Sequence, residues 1–300
     1  MPIFKNVDRE NDTISQIFNN VYGYNKQYTP MKADLKGRVA IVTGAAGMIG
    51  GASALLLASS GAKIAIFDIN DDKGHAMVEK IKKQGGEAKY YHVDVTDTGV
   101  MEAAVKQVAA DYNRIDILFA NAGINLTNRK PVVEMESDLF DRNIDVNLKG
   151  GTIRLTRMVL PYMIERGSGC IIYTSSVCGV TGLRKQCGFV ASKFAISALT
   201  RSLALEYGKY GIRVNTLAPG SVPDPESKMS FLWDNCAFDD YDSNFTDPRT
   251  ILFDIAARRP GHPRDMAGLV LYLASDDASY TTGQVICVDG GWTAGLSGEY

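Results

Sequence analysis

A chain of 300 residues, 45% apolar and 22% charged, has the make-up of an ordinary globular protein and excludes wholesale disorder. With 32 basic against 34 acidic side chains the net charge is −2, so nothing draws the chain generally to nucleic acid or to an anionic membrane. Five cysteines without a C-x-x-C pair, and only three histidines, argue against a disulfide framework and against a metal site. No apolar run approaches the ~18 residues of a bilayer span, and the first ten residues hold no signal-peptide core, so the expectation is a soluble, reduced, cytoplasmic protein.

In chain order, residues 1–36 read as an extension. Asp12 or Thr13 can cap a short helix whose Ile14, Ile17, Phe18 and Val21 fall on one face. That stripe is too small to fold alone; it docks on this subunit or a neighbour, frays, or is a plain surface extension. From residue 37 onward, apolar runs at Val39–Thr43, Lys63–Asp68, Lys89–Val93, Ile115–Ala120, Cys170–Thr174, Ile212–Leu217 and Val285–Val288 predict strands apolar on both sides, as in a buried parallel sheet. Helical patterns separate them, among them Ala52–Ser60 and Asp97–Tyr112, the latter with Val100, Met101, Ala104, Val105 and Val108 on one face. Strand alternating with helix predicts one α/β domain over 37–300, a doubly wound parallel sheet of Rossmann type with helices on both faces. The alternation breaks at 221–262, where Phe231, Leu232, Trp233, Phe238, Tyr241, Phe245 and Phe253 stand among aspartates; this is a lid over an apolar pocket, or simply a helical insertion packed on the body.

Between the first strand and the helix after it lies Gly44-Ala45-Ala46-Gly47-Met48-Ile49-Gly50. Glycines there allow a tight turn and a close approach to a pyrophosphate, and the helix start offers free N–H groups and a positive dipole end. Asp68 ends the second strand, 24 residues after Gly44, where a carboxylate can accept both adenosine ribose hydroxyls. A 2′-phosphate at about 4 Å would meet ~4 kcal/mol of repulsion per unit charge. Neither Ile69 nor Asn70 offers a cation against it, so NAD(H) is expected over NADP(H).

Further motifs follow in order: Val93-Asp94-Val95, Asn121-Ala122-Gly123, Val146-Asn147, Thr174-Ser175-Ser176, Pro219-Gly220, Leu273-Ala274-Ser275-Asp276, and the stretch from Gly283 to Gly291. With these the chain resembles the short-chain dehydrogenase/reductase family from about Leu35 to Trp292. The resemblance implies interconversion of a secondary alcohol and a ketone with NAD. It assigns cofactor contacts to Gly44, Gly47, Met48, Ile49, Gly50, Asp68, Ile69, Asp94, Val95, Asn121, Ala122, Gly123, Lys193, Pro219, Gly220 and Val222. Two positions depart from the pattern. Met48 stands where Gly or Ala is usual, so Gly47 supplies the close approach; Asp224 replaces a frequent threonine, moving a nicotinamide contact toward Val222.

For the reaction, the family's pattern is a tyrosine four residues before a lysine, a serine 13 residues before the tyrosine, and an asparagine on the preceding helix. Ser176, Lys193 and Asn147 fill three places; the fourth, residue 189, is Phe. A phenol with pKa near 10 can be tuned to trade a proton, whereas a phenyl ring has none to trade. The resemblance implies that Ser176 holds the substrate oxygen, Lys193 the ribose hydroxyls, and Asn147 a relay water. Nearby Tyr173 is no evident substitute. Phe189 is either an exchange made in an otherwise intact enzyme or the mark of a natural member that binds cofactor without turnover; the retention of its three partners favours the first.

Ser176, Cys178, Leu183, Gln186, Phe231 and Trp233 are expected to line the substrate pocket. Their apolar content suits a bulky alcohol such as a hydroxysteroid, and the long N-terminus and aromatic segment resemble bacterial 20β-hydroxysteroid dehydrogenases. A sugar or polyol dehydrogenase, or a non-catalytic NAD-binding regulator, are the alternatives. The resemblance also implies a homo-oligomer, dimer or tetramer, pairing helices at about Asp138–Arg166 and Cys187–Gly208, with no nucleic-acid or membrane partner.

Overall fold

The computed structural model describes residues 16, 30–128, 130–223, 255–257 and 259–295. The N-terminal stripe, Asp224, and the aromatic segment with Phe231 and Trp233 lie outside them. The chain divides into two compact units. One comprises Met31–Pro219 and Pro263–Cys287; the other combines Met1–Pro30, Gly220–His262 and Val288–Tyr300.

The sheet has seven strands: β1 (Val39–Thr43), β2 (Lys63–Asp68), β3 (Glu87–His92), β4 (Ile117–Ala120), β5 (Gly169–Thr174), β6 (Ile212–Pro219) and β7 (Val285–Val288), in the order β3-β2-β1-β4-β5-β6-β7. β1 pairs in parallel with both β2 and β4, and the parallel pairing continues through β5 to β6. The chain therefore reverses its direction of travel across the sheet between β1 and β4. In such sheets the crevice beyond the carboxyl ends of the strands at that reversal is where ligands bind.

Six helices are described: α1 (Met48–Ser59), α2 (Asp71–Lys83), α3 (Thr98–Tyr112), α4 (137–166), α5 (Cys187–Tyr207) and α6 (Pro263–Ala274). Local chemistry sets their ends. Asn70 and Asp97 cap α2 and α3 by accepting the N–H of Lys73 and Val100. α2 carries Asp71 and Asp72 in its first turn and Lys80, Lys82 and Lys83 in its last, matching the helix dipole. α4 is composite: an α turn at Ser137–Asn143, a π-helical stretch at Ile144–Arg154, then α again from Leu155 to Arg166.

The core lies on both faces of the central strands. Ile41, Phe67, Phe119 and Tyr173 are fully buried, and Met101, Val105, Val108, Leu155 and Val159 cover one face from α3 and α4. Two expectations needed correction. β3, as the outermost strand, shows solvent-facing Glu87, Lys89 and His92 rather than apolar groups on both sides, and β7 is half-buried throughout. The first helix begins at Met48, four residues before the expected Ala52, because the glycine turn flows directly into it.

In the other unit, Gly220 donates to the Val288 carbonyl at 3.1 Å and Gly261 to that of Ser221 at 2.7 Å. Burial pushes the Asp289 carboxyl up, but hydrogen bonds from Thr293 and from the Gly291 N–H outweigh it and leave it below the usual carboxylate range. No helix among the described residues is long and apolar enough to cross a membrane.

Candidate functional site

The carboxyl ends of β1, β4 and β5 are stitched together by side chains. Thr43 Oγ1 accepts the N–H groups of Asn121 and Ala122 at 2.9 and 2.8 Å. Asn121 Nδ2 donates back to the Thr43 carbonyl at 3.1 Å, and its Oδ1 accepts Thr174 Oγ1 at 3.1 Å. Asn121 and Ala122 thus act here as braces of the crevice wall.

The β1–α1 turn is shaped around space. Gly44 adopts φ +65°, the left-handed region that side chains disfavour, and a Cβ at Gly50 would collide with the Gly44 carbonyl. Gly47, the residue before α1, supplies no side-chain cap, and the first turn of α1 holds no acid. The leading N–H groups of the helix, from Met48 and Ile49, therefore remain available to an outside anion. Met48 is 39% exposed beside them and does not obstruct the turn. Asp68 is half-buried and held from both sides: its Oδ2 accepts the Ala46 N–H at 2.9 Å and its Oδ1 the Asn70 N–H at 3.0 Å. Ile69 is 65% exposed. A glycine cradle, an uncapped helix start and a fixed carboxylate suit a dinucleotide with its pyrophosphate on α1 and its ribose at Asp68. Asp94 is exposed and caps its own turn through Thr96, while Val95 is buried.

At the other end, Asn147 lies in the π-helical stretch of α4 and is 2% exposed. Its Oδ1 accepts the Ile124 N–H at 2.8 Å, and its Nδ2 donates to the Ile124 carbonyl at 2.9 Å and to Ser192 Oγ at 3.0 Å. Ser192 Oγ donates in turn to the Phe189 carbonyl at 2.7 Å. Lys193 is 5% exposed; its Nζ donates to the Thr174 carbonyl at 2.9 Å and stands 5.5 Å from the centre of the Phe189 ring. A Cβ on Gly123 would lie 3.0 Å from Asn147 Oδ1 and 3.4 Å from Lys193 Nζ, so all three meet at one point. Burial pushes the Lys193 ammonium down to about 8, with the nearby Cys178 thiol pulling slightly the other way.

Ser176 follows β5, and its Oγ accepts the Cys178 N–H at 3.1 Å. The preceding Ser175 ties this turn to α5, donating to the Lys193 carbonyl at 2.8 Å. Cys178 is buried, which pushes its thiol up. Leu183 and Gln186 are half-buried; Gln186 pairs with Asn125 and borders a small hollow of about 10 Å³ that Leu126, Met135, Phe140 and Cys187 also line. Pro219 ends β6, whereas Gly220 and Val222 fall in the other unit. Tyr173 is not a stand-in for a missing phenol: it is fully buried, its hydroxyl pairs with Thr156 Oγ1 at 2.8 Å, and burial raises its pKa.

Ser192, Ile124 and Asn125 were not singled out from sequence, and Thr43 and Thr174 were read only as the leading residues of their motifs, without a bracing role. Thr43 and Thr174 each close a strand just before a motif turn, which is the one signal that could have marked them. Ser192, inside the run from Phe189 to Lys193, had none.

A family model described as enoyl-(acyl carrier protein) reductase matches residues 44–293. Levodione reductase of Leifsonia aquatica is 34% identical over 261 residues, 86% of this chain and 94% of its own length. A crystal structure of levodione reductase matches with a TM-score of 0.79 and 32% identity, covering 87% of this chain and 99% of that one. The chain belongs to the short-chain dehydrogenase/reductase family. Members of this family use NAD(P), and both forms occur among its solved structures. A xylitol dehydrogenase with bound NAD+ has a TM-score of 0.79, 34% identity and coverage of 85% of this chain and 99% of that one. A putative gluconate 5-dehydrogenase of Beutenbergia cavernae with NADP at low occupancy has 0.77, 34%, 87% and 99%. The chain is thus a short-chain oxidoreductase with alcohol dehydrogenases among its relatives, and the seven-stranded parallel architecture is the family's.

Proposed function

We propose that this short-chain dehydrogenase/reductase binds NAD(H) at a site built to interconvert a secondary alcohol and a ketone, and that Phe189 removes the proton carrier from that site. The observation that carries the reading is the meeting of Gly123, Asn147 and Lys193 beside a ring that has no hydroxyl.

The preference for NAD(H) rests on Asp68. Both its oxygens are oriented by backbone N–H groups, so the charge stays where a 2′-phosphate would sit, and exposed Ile69 offers no compensation. When bound, the dinucleotide supplies or takes the hydride. The residues of the chain do the rest. Ser176 presents a hydroxyl to the substrate oxygen. Lys193, in a dry setting that lowers its pKa, binds ribose hydroxyls and, as an ammonium, would favour the phenolate of a tyrosine at position 189 and so lower that phenol's pKa toward neutral pH. Asn147, locked by Ile124 and Ser192, keeps α4 in register with the site and anchors a relay water. With Phe at 189 the proton has no positioned donor.

Of the two substrate classes, the hydroxysteroid reading draws on Phe231 and Trp233, outside the described residues. The polyol reading is favoured by the polar wall at Asn125 and Gln186. Association into a homo-oligomer through α4 and α5 remains part of this reading. Its rival is an NAD-binding protein with no chemistry.

The test is Phe189→Tyr, assayed for NAD+-linked turnover against steroid, alicyclic and polyol alcohols. A gain of ~10²–10⁴ over the parent supports the reading. Equal rates with full NAD+ binding leave the non-catalytic alternative standing.

A further inference from the structure

Two loops meet beside Phe189. One continues from Gly123 through Ile124, whose backbone grips Asn147, to Asn125. The other leads into α5 and ends on Gln186, three residues and about one helical turn before Phe189. Asn125 Nδ2 donates to Gln186 Oε1 at 3.0 Å, and Thr127 Oγ1 donates to the Lys185 carbonyl at 2.8 Å. Lys185 adopts φ +61°, in the left-handed region that a side-chain-bearing residue rarely occupies. Such a conformation persists only where the surroundings over-determine it, and it concentrates at ligand sites.

The pairing does not exhaust either amide. Gln186 retains two N–H donors and an acceptor lone pair; Asn125 retains one N–H and its carbonyl oxygen. Because each amide fixes the other, these groups are set in advance rather than free to rotate. Asn125 is exposed and Gln186 half-buried, so neither serves to fill the core. Donors and acceptors side by side match hydroxyl groups, each of which both gives and takes a hydrogen bond. A plain hydrocarbon pressed on the same wall would strip water from the amides and return nothing.

We propose that the Asn125–Gln186 amide pair is the specificity element of this cleft and selects an alcohol bearing further hydroxyls beside the reacting carbon, a polyol or its ketose, over a plain alicyclic or steroidal alcohol. The proposal rests on the alcohol–ketone reading above and adds the substrate class. Both amides act on the part of the substrate that does not react.

In the Phe189→Tyr background, NAD+-linked kcat/KM is measured for xylitol and for cyclopentanol, with Gln186→Leu and Asn125→Leu as the variants. The expected result is a loss of about 10-fold or more on xylitol and less than about 3-fold on cyclopentanol. An equal fall on both alcohols makes the pair mere loop scaffolding and overturns the proposal, as does an unchanged value for xylitol. If Phe189→Tyr turns over none of the steroid, alicyclic and polyol alcohols, the alcohol–ketone reading falls on its own. Calorimetric titration of the NAD+-saturated chain then decides on the amide pair. Binding of xylitol that weakens about 10-fold in the Leu variants, with cyclopentanol unaffected, supports it; no xylitol binding to the parent, or no difference between parent and variants, overturns it.

Discussion

The nucleotide end of the crevice and the reaction end are made from different materials. Around Gly44–Gly50 the working parts are backbone: a left-handed turn, an uncapped helix start, and one carboxylate oriented by two amides. Around Phe189 they are single side-chain atoms brought from the β4 loop, α4, β5 and α5, each held by a neighbour. A backbone site tolerates many side-chain changes, which is why Met48 can stand in the turn. A site of converging atoms can lose its chemistry through one missing oxygen while every supporting bond stays in place.

Substitutions can break or sharpen that contrast. The largest effect is expected at the reaction end, where Phe189→Tyr should raise turnover by ~10²–10⁴ without altering NAD+ affinity, measured by steady-state rates beside a binding titration. At the nucleotide end, Asp68→Asn should relieve up to ~4 kcal/mol of repulsion toward a 2′-phosphate, shifting the NADP+/NAD+ affinity ratio by as much as ~10³. A ratio unchanged by that substitution would remove Asp68 from cofactor choice.

Lys193 gives a pH signature. Its folded pKa lies at about 8, below the ordinary 10.5, because burial penalises the charge. Below pH 8 the folded and unfolded chains both carry the proton, and the folded state bears the full penalty. Between about 8 and 10.5 the unfolded chain binds more protons, so stability rises with pH. Relative to Lys193→Met, the parent should therefore gain up to ~3 kcal/mol from pH 7 to 10.5 in urea unfolding; a flat difference would mean that the ammonium is solvated.

Smaller effects follow. Asn147→Ala leaves the Ile124 N–H and carbonyl unpaired and should cost about 2–3 kcal/mol of stability in the same assay. Tyr173→Phe removes only the bond to Thr156 and should cost about 1 kcal/mol. In the Phe189→Tyr background it should leave the rate untouched, and a lost rate would make Tyr173 a proton carrier after all.

Much of this was legible in the residues. β1 and β2 match their apolar runs residue for residue, since buried parallel strands are written as continuous apolar text, and β7 matches in its bounds although it is half-buried. β3 did not match, because an outermost strand alternates with solvent and its pattern blurs. The glycine turn and Asp68 could be read because each acts locally. The bracing by Thr43 and Ser192 could not, because one oxygen serving a partner 45 to 79 residues away leaves no periodic trace. Nor could the Asn125–Gln186 pairing, which depends on two loops meeting across 61 residues.

The π-helical stretch at Ile144–Arg154 has a consequence for how this protein tolerates change. Thr152 Oγ1 reaches back five residues to the Asn147 carbonyl, the span of a wide turn that accommodates one residue more than an ordinary turn of helix. Deleting a single residue there would restore the tighter pitch and swing everything on one side by about a quarter-turn or more. The helix would survive as a helix, but Asn147 would leave Ile124, so insertions and deletions in this segment are far more harmful than its smooth outward course suggests.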